Sequence, residues 1–212
     1  MPGLRLLSDE VHGPSQSRYV AFYTSFFGIG AALSFALAGV IAPLAGWRTA
    51  FVACAAGSVV SGLMVFLSLV PRTPAGGTHS VLFPFAAWRK LLADRAAAGY
   101  MLGYGVHCLE LFGSRGWMVA FLAFSAGLGA SGPAPWSAAT IAAVVNACAV
   151  PASILGNEMA LKIGRRRWVL MVMASSSLAG IALGFSAPLH WAFVLALRVL
   201  YAMLVMAESA TL

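Results

Sequence analysis

Charge is what this chain has least of: 9% of its residues are Asp, Glu, Lys or Arg, and only six are acidic. A soluble domain carries about 25%, so there is too little polar surface to cover a water-exposed exterior. Cysteine is scarce as well. Cys54, Cys108 and Cys148 sit in separate apolar stretches with no C-x-x-C spacing, which leaves neither a disulfide framework nor a thiolate metal site. They read as small buried hydrophobes. The histidines, His12, His79, His107 and His190, are scattered, and the H-E-x-x-H, G-x-S-x-G and P-loop patterns are missing. No metal site, no cofactor and no enzyme is therefore expected. A filter-like re-entrant segment or ring-forming charge, as a channel needs, is missing too. So are the apolar core and cleavage site of a signal peptide in residues 1–18.

What is present is hydrocarbon: 61% of the 212 residues are hydrophobic and the mean hydropathy is +0.89. This composition indicates an all-α polytopic membrane helix bundle. The formal charge of +7 does not indicate nucleic acid, because the basic residues cluster in short gaps and form no stripe with interleaved aromatics. The bilayer is the partner such a chain implies.

A helix crossing the hydrocarbon needs about 20 mostly apolar residues. Six stretches qualify, giving about six transmembrane helices: roughly 19–44, 49–70, 96–124, 137–163, 168–185, and one beginning near Trp191. Residues 1–18 form an N-terminal loop, and residues 19–70 an antiparallel two-helix hairpin turned at "AGWR". Residues 71–95 form a central linker, rich in Pro and Gly, with an amphipathic helix over about 85–95 lying at the interface. Residues 96–212 hold the remaining four helices.

The positive-inside rule tests this count. Arg5, Arg18, Arg72, Arg89, Lys90, Arg95, Lys162, Arg165, Arg166 and Arg167 all fall in alternate loops, whereas the opposite loops contribute Arg48 alone. Both chain ends are thereby expected on the cytoplasmic side of a plasma (inner) membrane. Trp47, Trp88, Trp136, Trp168 and Trp191 fall near span ends, as an aromatic belt requires.

Three stretches carry a family resemblance. "GIGAALSFALAGVIAPLAGWRTAF" resembles the fifth helix, short outer turn and start of the sixth helix of major facilitator superfamily (MFS) transporters. "GYMLGYGVHCLELFGSRGWMVAFLAF" is similar to the seventh helix of a prokaryotic MFS group, and "GNEMALKIGRRR" resembles the basic loop between the eighth and ninth helices. The resemblance implies a partial MFS fold, running from the end of helix four to helix ten. Such transporters rock two six-helix halves, each built of three-helix repeats, around a central site. It implies secondary transport of a small solute, with a proton as a possible coupling ion. The other reading is a non-transporting truncated fragment, or a subunit that works only beside the missing transporter helices or another membrane chain. In-frame coding for those helices beside this reading frame would identify a clipped transporter.

The loop signature departs from the family pattern. Lys162, Gly164, Arg165 and Arg166 match its basic end, but Leu161 stands at the usual acidic position, Asn157 at the leading glycine, and Glu158 is displaced. Two readings stay open for these residues: a cytoplasmic gate, or a topology anchor whose cations meet anionic headgroups. In the first span, Gly28, Gly30, Ser34 and Gly39 supply small residues for close packing. The Gly-Pro pair of the drug-antiporter version is missing.

The remaining puzzle is "VHCLELFGSRGW", residues 106–117, which sets His107, Glu110 and Arg115 inside a span. Glu110, Arg115 and Arg198 facing lipid would together cost roughly 7–10 kcal/mol on insertion scales, so an inward or cavity-facing position is expected. At about 100° per residue His107 and Glu110 lie about 60° apart, whereas Arg115 is about 140° from Glu110, over Cys108, Leu111 and Met118. Gly113 and Gly116 weaken the helix between them, and a kink there would redirect Arg115 toward the cavity. The substrate or coupling-ion candidates are therefore His107, Glu110, Arg115, Asn146, Arg198 and Tyr201. Glu110 is the proton-coupling candidate and Arg115 the ligand for an anionic group. Against this, His107 and Glu110 serve equally as interhelical hydrogen-bonding groups, Arg115 as a snorkelling anchor, and Asn146 as an interhelical donor. Glu208 is expected to meet cytoplasmic water.

Overall fold

In the computed structural model, residues 2–13, 15–69, 85–128, 136–209 and 211 are described. Among them all regular structure is helical: α1 (Pro2–Glu10), α2 (Gln16–Ser68), α3 (Phe85–Ala93), α4 (Arg95–Gly127), α5 (Ala138–Ile163), α6 (Arg165–Phe185) and α7 (Trp191–Ser209). Residues 71–84 of the expected linker and most of the loop after α4 lie outside the described residues.

Residues 2–10, expected in a polar loop, form a helix. Pro2 suits a first helical turn, and the chain leaves the helical path at Gly13, whose φ is +95. An unbroken α2 of 53 residues would be about 80 Å long, against a hydrocarbon core of about 30 Å. It is broken at Gly46, where φ 82 and ψ 163 leave the helical region. The break falls in the "AGWR" turn and divides the helix into arms 16–45 and 47–68. The second arm exposes large apolar groups almost throughout, with Phe66 and Leu67 each at least 80% exposed, as suits a surface solvated by lipid.

Asp94 ends α3 and caps α4, its carboxylate accepting from the Ala96 and Ala97 amides at 2.9 and 3.2 Å. Ser137 caps α5 through Thr140 N–H at 3.1 Å. Gly164, at φ 98 and ψ 130, is the whole connection between α5 and α6. Arg165, Arg166 and Arg167 thus form the first turn of α6, three cations where the helix dipole favours anions.

Four helices, α2, α5, α6 and α7, are both long and apolar enough to cross a membrane. At 33 residues α4 has the length, but His107, Glu110 and Arg115 interrupt its apolar run. The two arms of α2 and helices α4 to α7 supply the six membrane-length segments.

Helix α5 is the central element, packed against α2 on one side and α7 on the other. Its buried line of Ala142, Ala149, Ala152, Ser153, Gly156 and Ala160 permits this, because close helix approach in lipid rests on small residues. Against α2 the pairs are Ser17 with Asn157, Gly28 with Val150 and Gly39 with Ala139, so the two helices are antiparallel. Against α7, the Gly156 Cα lies so close to Ala207 that an added Cβ would come within 2.7 Å of the Ala207 Cα. His107 meets Glu208 and Ser125 meets Ala187, making α4 antiparallel to α7. Arg18, Arg95, Lys162 and Arg165–Arg167 consequently gather at one end of the bundle.

The cysteines correct one expectation. Cys54 and Cys108 are half-buried and Cys148 is exposed, because the inward face of α5 is taken by Val145, Asn146 and Ala149.

Candidate functional site

An apolar helix can hide an ionisable group only by turning it toward another helix. α4 turns His107, Leu111, Arg115 and Met118 inward, and α7 turns Arg198, Tyr201, Val205 and Glu208 to meet them. All the substrate or coupling-ion candidates except Asn146 lie on these two helices.

At one end of the shared face, His107 Nδ1 and Glu208 Oε1 are 2.5 Å apart, with side chains 1% and 0% exposed. Glu208 is therefore not in cytoplasmic water: it lies in the last turn of α7, where α4 and α5 close over it. The outer atoms of this pair, His107 Nε2 and Glu208 Oε2, are buried without hydrogen-bond partners. His107 also lines a cavity of about 780 Å³ between α2 and α4, which Tyr23, Tyr104 and Arg165 reach as well.

One turn along α4, the Ser176 hydroxyl of α6 donates to Glu110 Oε2 at 3.4 Å, and Tyr201 lies within electrostatic range of the same carboxylate. Glu110, Tyr201 and Arg198 share a second cavity, of about 330 Å³, bounded by Trp117 and Gly180. His107 and Glu110 thus sit near each other, as their 60° spacing indicated, yet they look to different helices.

The expected kink at "GSRG" is not there. α4 is continuous from Arg95 to Gly127, and Arg115 turns inward without one because the Leu111 and Met118 side of the helix is itself the core side. Its guanidinium lies 4.6 Å over the Phe27 ring of α2 and donates to Met206 Sδ at 3.5 Å. Arg198 donates to the Ser114 carbonyl at 3.2 Å and lies 5.3 Å from the Tyr201 ring centroid. The two arginines converge on a small cavity of about 10 Å³ that Asn146 also lines. Among the described residues the Asn146 amide nitrogen donates within its own helix, to Ala142 O at 2.8 Å.

Lys162, Gly164, Arg165 and Arg166 occupy the exposed turn between α5 and α6. The acid–base contact at this end is made elsewhere. Arg18 of α2 donates through Nε and Nη2 to the two Glu158 oxygens at 2.6 and 2.9 Å, beside Ser17 donating to Asn157 Oδ1 at 2.6 Å. The displaced Glu158 thus finds its cation across the helix interface. Arg18, Ser17, Asn157, Ser176, Glu208 and Phe27 belong to the picture without having been singled out as site residues. Only the misplaced acid in the loop signature hinted at any of them.

Among the described residues, no three His, Cys, Asp or Glu side chains come together as a metal site would need. What the arrangement offers is reversible: proton-accepting carboxylates and an imidazole, and cations able to hold an anion. Comparison of the whole chain with protein families matches residues 1–212 to the model described as Major Facilitator Superfamily. Comparison with curated proteins and with solved structures finds no match.

Proposed function

Because this chain belongs to the major facilitator superfamily, whose members are transporters, we propose that it carries a small solute across a membrane by alternating access. The observation that carries this reading is the convergence of His107, Glu110, Arg115, Arg198 and Tyr201 between α4 and α7, midway along apolar helices. Ionisable groups are retained at that depth only at a cost, and a site visited from both sides supplies a reason. In this reading α2 stands for one moving half and α4 to α7 for the other. Lys162, Gly164, Arg165 and Arg166, with the Arg18–Glu158 and Ser17–Asn157 contacts, mark the side on which the halves close. The positive-inside distribution makes that side cytoplasmic in a plasma (inner) membrane.

Side-specific labelling tests the mechanism without a known solute. With the three native cysteines replaced by alanine, a single cysteine at Ser114 should react with a membrane-impermeant thiol reagent supplied from either face of sealed vesicles. Access from one face only, or from neither, would overturn the carrier reading.

Glu110 is assigned the coupling proton, since it is the central carboxylate with no cation on it. Once a transported solute is found, Glu110→Gln should abolish proton-driven uptake or flatten its pH dependence, with membrane insertion unaltered. Uptake that keeps the wild-type pH profile in that variant would remove Glu110 from this role.

A further inference from the structure

The charges inside this bundle do not balance locally. Arg198 is 3% exposed and Arg115 is partly buried, and each keeps a buried Nη1 with no hydrogen-bond partner. Every carboxylate of α4, α5 and α7 is engaged elsewhere: Glu208 with His107, Glu158 with Arg18, and Glu110 beside Ser176. Among the described residues neither guanidinium forms an ion pair. The contacts they do make, to a thioether, a backbone carbonyl and two aromatic faces, are weak substitutes for the forked pairing with an oxyanion that arginine favours.

We infer that Arg115 and Arg198 form the binding site for the carboxylate of the transported solute, with Asn146 at its edge. This rests on the transport reading and narrows it to small monocarboxylates. The cavity that both arginines line, about 10 Å³, admits a single water-sized group, so it takes one oxygen of the anion, and the apolar lining of the cavity beyond it favours an organic carboxylate over a hydrated phosphate. Arg198 also borders the neighbouring cavity of about 330 Å³, where the body of the solute would lie among Trp117, Phe121 and Leu183. The source of each cation differs: Arg115 leaves the Phe27 face of α2, and Arg198 leaves the Ser114 carbonyl. An arriving carboxylate would therefore tie α4, α5 and α7 into one network and release the Arg115 contact to α2.

The test is equilibrium binding to the full 212-residue chain in an uncharged detergent, at fixed ionic strength, read as the thermal midpoint of tryptophan fluorescence. Acetate and benzoate should each raise the midpoint saturably, while acetamide, chloride and inorganic phosphate should not. Arg115→Gln and Arg198→Gln should each weaken the acetate effect at least tenfold. They should also raise the midpoint of the ligand-free protein, because each removes an unpaired buried charge, whereas a merely structural arginine would leave it lower. If either glutamine variant fails to fold, Arg115→Lys and Arg198→Lys decide: both keep the charge, lose the fork, and should bind acetate more weakly than the native chain.

The assignment is overturned by no acetate-dependent shift in the native chain, by an undiminished shift in the variants, or by chloride matching acetate. Micelles contain no compartments, so acetate binding stands or falls separately from transport. Binding without two-sided Ser114 labelling would leave the site and remove the carrier.

Discussion

Gly156→Leu should prevent the bundle from forming. Overfilling a packed interior usually costs about 1–3 kcal/mol when neighbouring side chains can yield, but at Gly156 the obstacle is backbone. An added Cβ would lie within 2.7 Å of the Ala207 Cα and closer still to the Ala207 carbonyl oxygen. α7 would have to withdraw along its whole packed face, uncovering Val205 and Met206. Purification in mild detergent should give aggregated protein in place of a single monodisperse species. Gly28→Ala is the control on the other side of α5: its Cβ would meet the Val150 Cγ2 at 3.0 Å, a side-chain end that can shift. A monodisperse Gly156→Leu protein, as stable as the native chain in denaturant titration, would show that α5 and α7 do not approach as described.

The second large effect concerns His107 and Glu208. Removing one partner of a fully buried hydrogen-bonded pair leaves the other unsatisfied, at about 1–3 kcal/mol or more, whereas replacing both with apolar residues of similar shape can be nearly neutral or better. His107→Leu and Glu208→Leu should therefore each be strongly destabilising. The double variant should recover most of the loss, giving a coupling term far above the few tenths expected of independent sites. Denaturant titration of the four proteins measures it. Additive losses would mean that the two groups do not depend on each other.

This pair also marks where the sequence stops being informative. His107 and Glu208 are 101 positions apart, and nothing local in "VHCLEL" or "MAESATL" points from one to the other. The span pattern was legible because hydropathy is a local property: the break at Gly46, the basic turn at Gly164 and the inward position of Arg198 all follow from neighbours in the chain. The helical wheel placed Arg115 correctly over Leu111 and Met118. It left open which side of α4 faced the core, and a kink was invoked to bring Arg115 in. Both sides proved to be covered, Glu110 facing α6 and Arg115 facing α2 and α7. Gly156 was passed over for a similar reason, since a glycine in an apolar helix gains meaning only when another backbone is found against it. The Arg18–Glu158 contact was hinted at by an acid standing three places from where the family pattern sets it.

The start of α6 carries a consequence beyond the protein itself. Arg165, Arg166 and Arg167 occupy a first turn that lacks a side-chain cap, and their charges oppose the peptide dipoles there. Nothing inside the bundle relieves that opposition, because all three are exposed. Lipid phosphates can relieve it, at roughly 1 kcal/mol for each cation near an anionic surface. In the orientation proposed above, the composition of the facing leaflet would in that sense be part of the folding information for this helix: an anionic surface would supply the N-terminal cap that the sequence leaves out.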